Sequence, residues 1–473
     1  MKVKNILFGI LMCTAYLAYS QNTTPVSVLL KKDTTGIITK TITRAYGNNS
    51  ISYIEKGGNH YFSAALHLSP TSDWLGYDSV LLKNVEIGAN YTVNDFKVVD
   101  SSHIYCCGKY TEGNNNKGFI AFFNIFDFIT NNTINFKVMN SFQTDEGYVA
   151  DLTKIETFFL SNKLHTIAIG STVASKACIL EIVGPKGAVS GIYSIGESTV
   201  SEKFNDIAVT DNYVVTVGSV GSPDAAIRRF PKQSIFSNAA NNSLAYSYPT
   251  NTSNNNPTMY LAEKTDDFLI TPVIDDIVAI ASYWYYPPLA NLGNNLQGTL
   301  MRIYNIAPTS APSMMTSMSL AQNYYSGNWK LKELQYNGSL QMFSLLQDME
   351  LPSNQQLSSA VSILDLVNNP TLVQTKYQPD VEITSLDNIS NSTYSIMGGF
   401  NRYATSYLII IGNKINNTPS SCIGNFSGTI SYKSIYGEKE ITSDMTVHNQ
   451  PLDFGYIKFT NNYSTRMVLS CIQ

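Results

Sequence analysis

Charge is scarce in this chain. Asp, Glu, Lys and Arg make up 14% of its 473 residues, and the formal net charge is −4. A balance this thin exerts no strong pull on a polyanion, so neither nucleic acid nor an anionic membrane is an expected partner. Histidine occurs only five times, at His60, His67, His103, His165 and His448. Six cysteines occur, but none forms Cys-x-x-Cys or sits in a Cys/His group, so no metal or other cofactor is expected. The sequence also lacks Gly-x-Ser-x-Gly, His-Glu-x-x-His and a phosphate-binding glycine loop, and no catalytic residue is assigned. Beyond the N-terminus no apolar run is long enough to span a bilayer.

The N-terminus has the order of a secretory signal. Lys2 and Lys4 precede an apolar stretch over residues 6–17, and Ala18-Tyr19-Ser20 ends in a small residue before Gln21. Residues 1–20 are therefore expected to be removed, leaving an exported chain that is periplasmic, cell-surface or secreted. A lipoprotein anchor at Cys13 is disfavoured by Met12, where a small residue is wanted. Five cysteines then remain, an odd count that leaves at least one without an intramolecular partner. Cys422 and Cys471 flank the C-terminal segment and are the expected bridge, the alternative being two buried thiols. Cys106 and Cys107 are neighbours in a strand-like run and should face opposite sides of a sheet.

What the chain does have is a repeat. Asn94-Asp95-Phe96-Lys97-Val98-Val99 leads to Ile104-Tyr105-Cys106-Cys107-Gly108, then a polar turn, then Gly118-Phe119-Ile120-Ala121-Phe122-Phe123. Asn205-Asp206-Ile207-Ala208-Val209 leads in the same order to Tyr213-Val214-Val215-Thr216-Val217-Gly218 and Ala225-Ala226-Ile227-Arg228-Arg229-Phe230. Weaker copies open near Asp151, Asp267, Leu331 and Val381, and an N-terminal copy covers 61–82. The runs have period two and are rich in β-branched and aromatic residues, so they are strands. The glycine is read as a tight-turn residue, and the opening Asp as a local turn acceptor.

A four-stranded sheet cannot bury both faces alone, whereas sheets stacked around an axis bury each other. The expected fold class is all-β, a β-propeller of about seven four-stranded blades, with six or eight as alternatives. Residues 21–412 would form the blades. Residues 413–473 would close the last blade or form a small appended sheet, and residues 26–31 or 37–44 would complete the last blade from the N-terminus.

The two clear copies resemble a bacterial β-propeller repeat of consensus Asp, apolar alternation, "Asn-x-Tyr-Val-Thr-Gly", a turn and "Asp-Ala-Phe-Val-Ala". The match lies at Tyr213–Gly218 with Ala225–Phe230, and at Ile104–Gly108 with Gly118–Phe123. Ser282 replaces the glycine in one copy and none stands near Leu346 in another. The signal peptide resembles those of Bacteroidetes-type bacteria. The resemblance implies fold and export, and carries no catalytic residues.

Candidate binding residues are aromatic. Tyr283, Trp284, Tyr285 and Tyr286 precede Pro287-Pro288 and open a long loop, and Trp329 with Tyr324 and Tyr325 marks a second one. Such rings stack on sugars or anchor a protein partner, and they also serve as core filler. The acidic pairs Asp266-Asp267 and Asp275-Asp276 are read as turn acids. The first expectation is thus a binding or interaction protein recognising a glycan or surface protein. The alternatives are a polysaccharide-acting hydrolase or lyase with its site in the central channel, and a structural cell-surface component. Carboxylates converging in the channel would favour the enzyme.

Overall fold

The structure, a computed structural model, describes residues 27–472 apart from segments between strands, the longest being 67–78, 249–261, 286–295 and 414–423. The described chain is all-β, with one short helix, α1 (Ile125–Asn131). A four-stranded antiparallel meander recurs along it. The first unit is Ile38–Tyr46, Asn49–Lys56, Asn59–Leu66 and Ser79–Glu86. The second is Tyr91–Val99, His103–Glu112, Asn115–Asn124 and Thr133–Met139, with α1 before its last strand. The third is Gly147–Leu160, Lys163–Thr172, Ala177–Val183 and Ala188–Ile195. The fourth is Glu202–Val209, Tyr213–Val220, Asp224–Pro231 and Leu244–Tyr248. The fifth is Leu269–Ile274, Ile277–Tyr285, Leu296–Asn305 and Ser313–Asn323. The sixth is Lys330–Asn337, Met342–Glu350, Leu357–Asp365 and Thr371–Tyr377. The seventh has Val381–Asn388, Tyr394–Asn401 and Tyr407–Asn413 in sequence, and takes its fourth strand, Ser27–Lys32, from the N-terminus.

Of the two N-terminal candidates for that closing strand, the first is therefore used. The second, Ile38–Tyr46, is the opening strand of the first unit. Pairing Ser27 with Gly412 closes nearly the whole chain into a loop, at an entropic cost on the order of 5 kcal/mol. The opening strand of each unit contacts that of the next, and the seventh contacts the first.

The core lies between units, which explains the alternation in each strand. Ile104 and Cys106 pack with Tyr53 and Phe62 of the first unit, while Tyr105 and Cys107 pack with Ile155, Ala168 and Cys178 of the third. The two cysteines thus face opposite sides, and both sides are core. Ile167 and Ile179 of the third unit then pack with Val214 and Phe230 of the fourth. Val215 and Val217 pack with Val278 and Ile280 of the fifth, whose Ala279 and Ala281 pack with Leu345 of the sixth. Cys106, Cys107 and Cys178 are free and fully buried, and burial pushes the Cys178 thiol up to about 12. Cys422 lies outside the described residues, and of Cys471 only the backbone pairing, with Leu29, is described.

Among the described residues the C-terminal strands form no sheet of their own. Their strands are dealt out one to a unit, in reverse order. Gly424–Phe426 pairs with the last strand of the sixth unit, Thr429–Ser431 with that of the fifth, and Lys439–Glu440 with that of the fourth. Met445–His448 pairs with the third and Gly455–Thr460 with the second. Tyr463–Ile472 inserts between Ser79–Glu86 of the first unit and Ser27–Lys32 of the seventh, making these two units one nine-stranded sheet. Of the two expectations for residues 413–473, the described strands do not make an appended sheet, while Tyr463–Ile472 lies against the closing strand of the seventh unit; each unit presents an unpaired outer edge, and a passing backbone satisfies such an edge directly.

Candidate functional site

The opening strands carry a β-bulge at a shared place, between Val93 and Asp95, Leu152 and Lys154, Phe204 and Asp206, Leu331 and Glu333, and Ile383 and Ser385. The bulge drives a carbonyl against the second strand. A Cβ on Gly108 would lie 1.9 Å from the Thr92 oxygen, one on Gly170 2.0 Å from that of Asp151, and one on Gly218 1.8 Å from that of Lys203. The recurring glycine therefore sits mid-strand without positive φ. It is there for close approach, not for turning as expected from sequence.

The bulge also links one unit to the next. The Asn94 amide donates to the Leu152 oxygen (2.9 Å), Lys332 Nζ to the Ile383 oxygen (2.8 Å), and the Thr384 hydroxyl to the Thr41 oxygen (2.6 Å). The acid after the bulge accepts a backbone N–H from the following unit. Ile155 donates to Asp95 Oδ2 (3.3 Å), Ile270 to Asp206 Oδ2 (3.0 Å), and Leu386 to Glu333 Oε2. Across the seam, Ala45 donates to Asp387 Oδ2 (2.8 Å) and Thr43 to Ser385 Oγ (2.7 Å). The opening Asp of the repeat is thus an inter-unit acceptor as well as a local one, Asp95 Oδ1 also accepting from Phe96 N (2.9 Å).

These acids' remaining oxygens meet cations at a cavity of about 260 Å3. Arg44 Nη2 lies 2.9 Å from Asp95 Oδ1 and 2.6 Å from Glu333 Oε1. Lys97 Nζ lies 2.6 Å from Glu156 Oε1, and Lys154 Nζ lies 3.9 Å from Asp206 Oδ1. Thr271, Gln335 and Tyr336 share the lining. Burial opposes the charge on Arg44, but Glu333, Asp95 and Asp387 outweigh it and hold the guanidinium well above its usual range. Burial likewise opposes ionisation of Asp95, yet Lys154, Arg44 and Lys97 prevail and hold its carboxyl below the ordinary value. At Glu156, Asp206 and Glu333 burial wins over the neighbouring cations, and their carboxyls are raised.

Sequence reading assigned none of these residues a site role. A signal was present. Lys97, Lys154, Glu156 and Glu333 are charges inside strands otherwise built for burial, in a chain with few charges to place. Such residues go inside only in pairs.

The predicted aromatic residues lie elsewhere. Tyr283, Trp284 and Tyr285 belong to a strand and not to the loop, their backbone pairing with Thr299, Gly298 and Gln297. Trp284 and Tyr285 also pair with Glu263 and Ala262. Tyr286 and Trp329 lie outside the described residues, as do residues 1–20, Trp74, Tyr77, Tyr324, Tyr325, Asp266 and Asp267. Asp276 stands in a turn, but it accepts from the fourth unit and not locally: from Thr210 Oγ1 (2.9 Å) and from Asn212 N (3.0 Å) and Nδ2 (2.8 Å).

Among the described residues His60, His103 and His165 have separate partners. His103 and His165 lie in second strands, but His60 lies in the third strand of its unit. His60 Nδ1 meets the Tyr91 oxygen, and His165 Nδ1 lies 2.6 Å from Glu181 Oε1 with its ring stacked on Phe158. Among the described residues no group of three His, Cys, Asp or Glu side chains is placed to hold a metal, and no helix is long and apolar enough to cross a membrane.

No family model and no curated protein matches the chain. Solved structures similar to it include a subtype N11 neuraminidase-like protein of A/flat-faced bat/Peru/033/2010 (H18N11). It is 11% identical, with a TM-score of 0.32 over 82% of this chain and 91% of that one. A score that low transfers neither a fold nor an activity.

Proposed function

We propose that this chain is an exported β-propeller of seven blades that works as a binding or interaction protein, recognising a glycan or a surface protein through one face. The blade reading is supported by the cyclic contact of the seven opening strands and by cores that lie between units. Export is supported by the order Lys2 and Lys4, residues 6–17, and Ala18-Tyr19-Ser20.

The observation that carries the binding reading is how the central charges are used. Arg44 joins two acids, Lys97 is taken by Glu156, and Asp95, Asp206 and Glu333 each also accept a backbone N–H from the next unit. Groups spent on one another hold the ring rigid, and recognition then falls to the ends of the strands. The aromatic stretch Tyr283, Trp284, Tyr285 and Tyr286, with Trp329, is the proposed contact surface.

A glycan array probed with the mature chain and with its Trp284→Ala and Tyr285→Ala variants tests this. Binding lost in the variants supports it, and indifference of binding to both changes refutes the aromatic surface.

The enzyme reading has one observation in its favour. Asp95 is held below the ordinary carboxyl value while Glu156, Asp206 and Glu333 are raised in the same cavity, and environments that split carboxyls apart can serve acid–base work. Release of reducing or unsaturated ends from acidic and neutral polysaccharides, lost in Glu156→Gln, would move the function to the cavity.

A further inference from the structure

The outer edges show a device that the repeat does not encode. Strands of two to ten residues from the C-terminal segment cover the last strand of every unit. Coverage is uneven. On the fourth unit only Tyr246 and Ser247 are paired, to Glu440 and Lys439. On the second unit all of Thr133–Val138 is paired, and on the first all of Ser79–Asn84. The heaviest pairing falls at the seam, where the two ends of the chain meet. There residues 463–468 pair with Ser79–Asn84 of the first unit and residues 468–472 with Val28–Lys31, so the strand passes from one neighbour to the other at Val468.

We propose that the C-terminal strands, from Gly424–Phe426 to Tyr463–Ile472, are a built-in strand donor that caps the outer edges of the units and ties the first unit to the seventh. The meanders form along the chain, and Ser27–Lys32 joins the two chain ends by pairing with Tyr407–Asn413; the final strand then adds a backbone ladder that ties the outer edge of the first unit to this join. A chain still being exported therefore has its outer edges open, and its last ten residues tie the first unit to the seventh. Until then the outer edges are strand acceptors, and their natural occupant is this segment. Were it dislodged, the same segment of a second copy would be the matching donor.

Two full-length variants test this, in a background with Cys422→Ser and Cys471→Ser. The first pairs Lys31→Cys with Val468→Cys, which are Cα partners across the seam. Ladder partners stand about 4.5–5.5 Å apart, within the span of a disulfide. The expected result is complete crosslinking within one chain on mild oxidation, and unfolding at least tenfold slower than in the reduced form. The second is Lys458→Pro, opposite Asn135, which interrupts an outer strand with a fixed φ. It is expected to unfold faster and to form concentration-dependent oligomers that the parent does not form. Failure of the cysteine pair to crosslink, or a crosslink without effect on unfolding, overturns the proposal. So does a proline variant that stays monomeric and unfolds at the parental rate.

Discussion

The inner and outer edges of the units are held by opposite means. At the inner edge, particular side chains do the joining. Asp95, Asp206 and Glu333 reach the next unit, Arg44 bridges two of them, and glycine admits the bulges that aim the two aspartates. At the outer edge the join is backbone to backbone, supplied from far along the chain. The comparison teaches that the inner edge constrains residue type at each position, whereas the outer edge asks only for an extended chain of sufficient length.

The largest break in that contrast should come from Gly218→Ala. The added Cβ would meet the Lys203 oxygen at 1.8 Å, and its nearest neighbours are all backbone of the opening strand, with little room to give. A loss of about 4 kcal/mol or more in urea unfolding is expected, well beyond the intrinsic Gly-to-Ala preference.

Arg44→Met comes next. It leaves Asp95 and Glu333 buried without their shared cation, and a loss of about 3 kcal/mol is expected. Adding Glu333→Met should recover part of it. A double mutant no more stable than the single would show that the pair is not coupled.

Acidity should separate the two kinds of carboxyl at the inner edge. Glu156, Asp206 and Glu333 have folded-state values raised above the unfolded ones, so the folded chain takes up protons first. Their effect is to make stability rise as pH falls from their raised values toward the ordinary carboxyl range, and to be lost again as pH climbs. Asp95 runs the other way. Its lowered value adds stability above the ordinary range that disappears as pH drops through its folded value. Urea midpoints measured from pH 7 to pH 3 should therefore show the upper branch flattened in Glu156→Gln and the acid-side fall reduced in Asp95→Asn. Identical profiles for both variants and the parent would remove the electrostatic account of the cavity.

The smallest effect is expected at the outer edge. Lys458 is exposed on a fifth strand, and Lys458→Thr keeps the backbone that matters. Its stability should stay within about 0.5 kcal/mol of the parent. A larger loss would mean that the outer strands are also read by their side chains.

Much of the inner ring was legible. The Asn-Asp openings, the mid-strand glycine and the period-two runs mark the first three strands of most units, because burying two faces and fitting a bulge restrict those positions to few residues. The roles of the glycine and the Asp were misread as turn chemistry, since both partners, the bulged carbonyl and the next unit's N–H, come from other strands. Sequence signals placed the N-terminal copy at 61–82, so the first unit's opening strand, Ile38–Tyr46, was left outside it. The cavity was missed because its charges are spread over five opening strands, from Arg44 to Glu333, and only their shared direction makes them a cluster.

The amino-acid order alone determined that this chain makes strands, that they recur in fours, and that adjacent residues such as Cys106 and Cys107 face different neighbours. Those outcomes follow from local periodicity and from burial of both sheet faces. Only the tertiary structure decided that Arg44 pairs with Asp95 and Glu333, and that the final segment travels back over every unit to end beside the first strand. Partnership across hundreds of residues is chosen by which unpaired edges and buried charges come within reach, and that is settled in space.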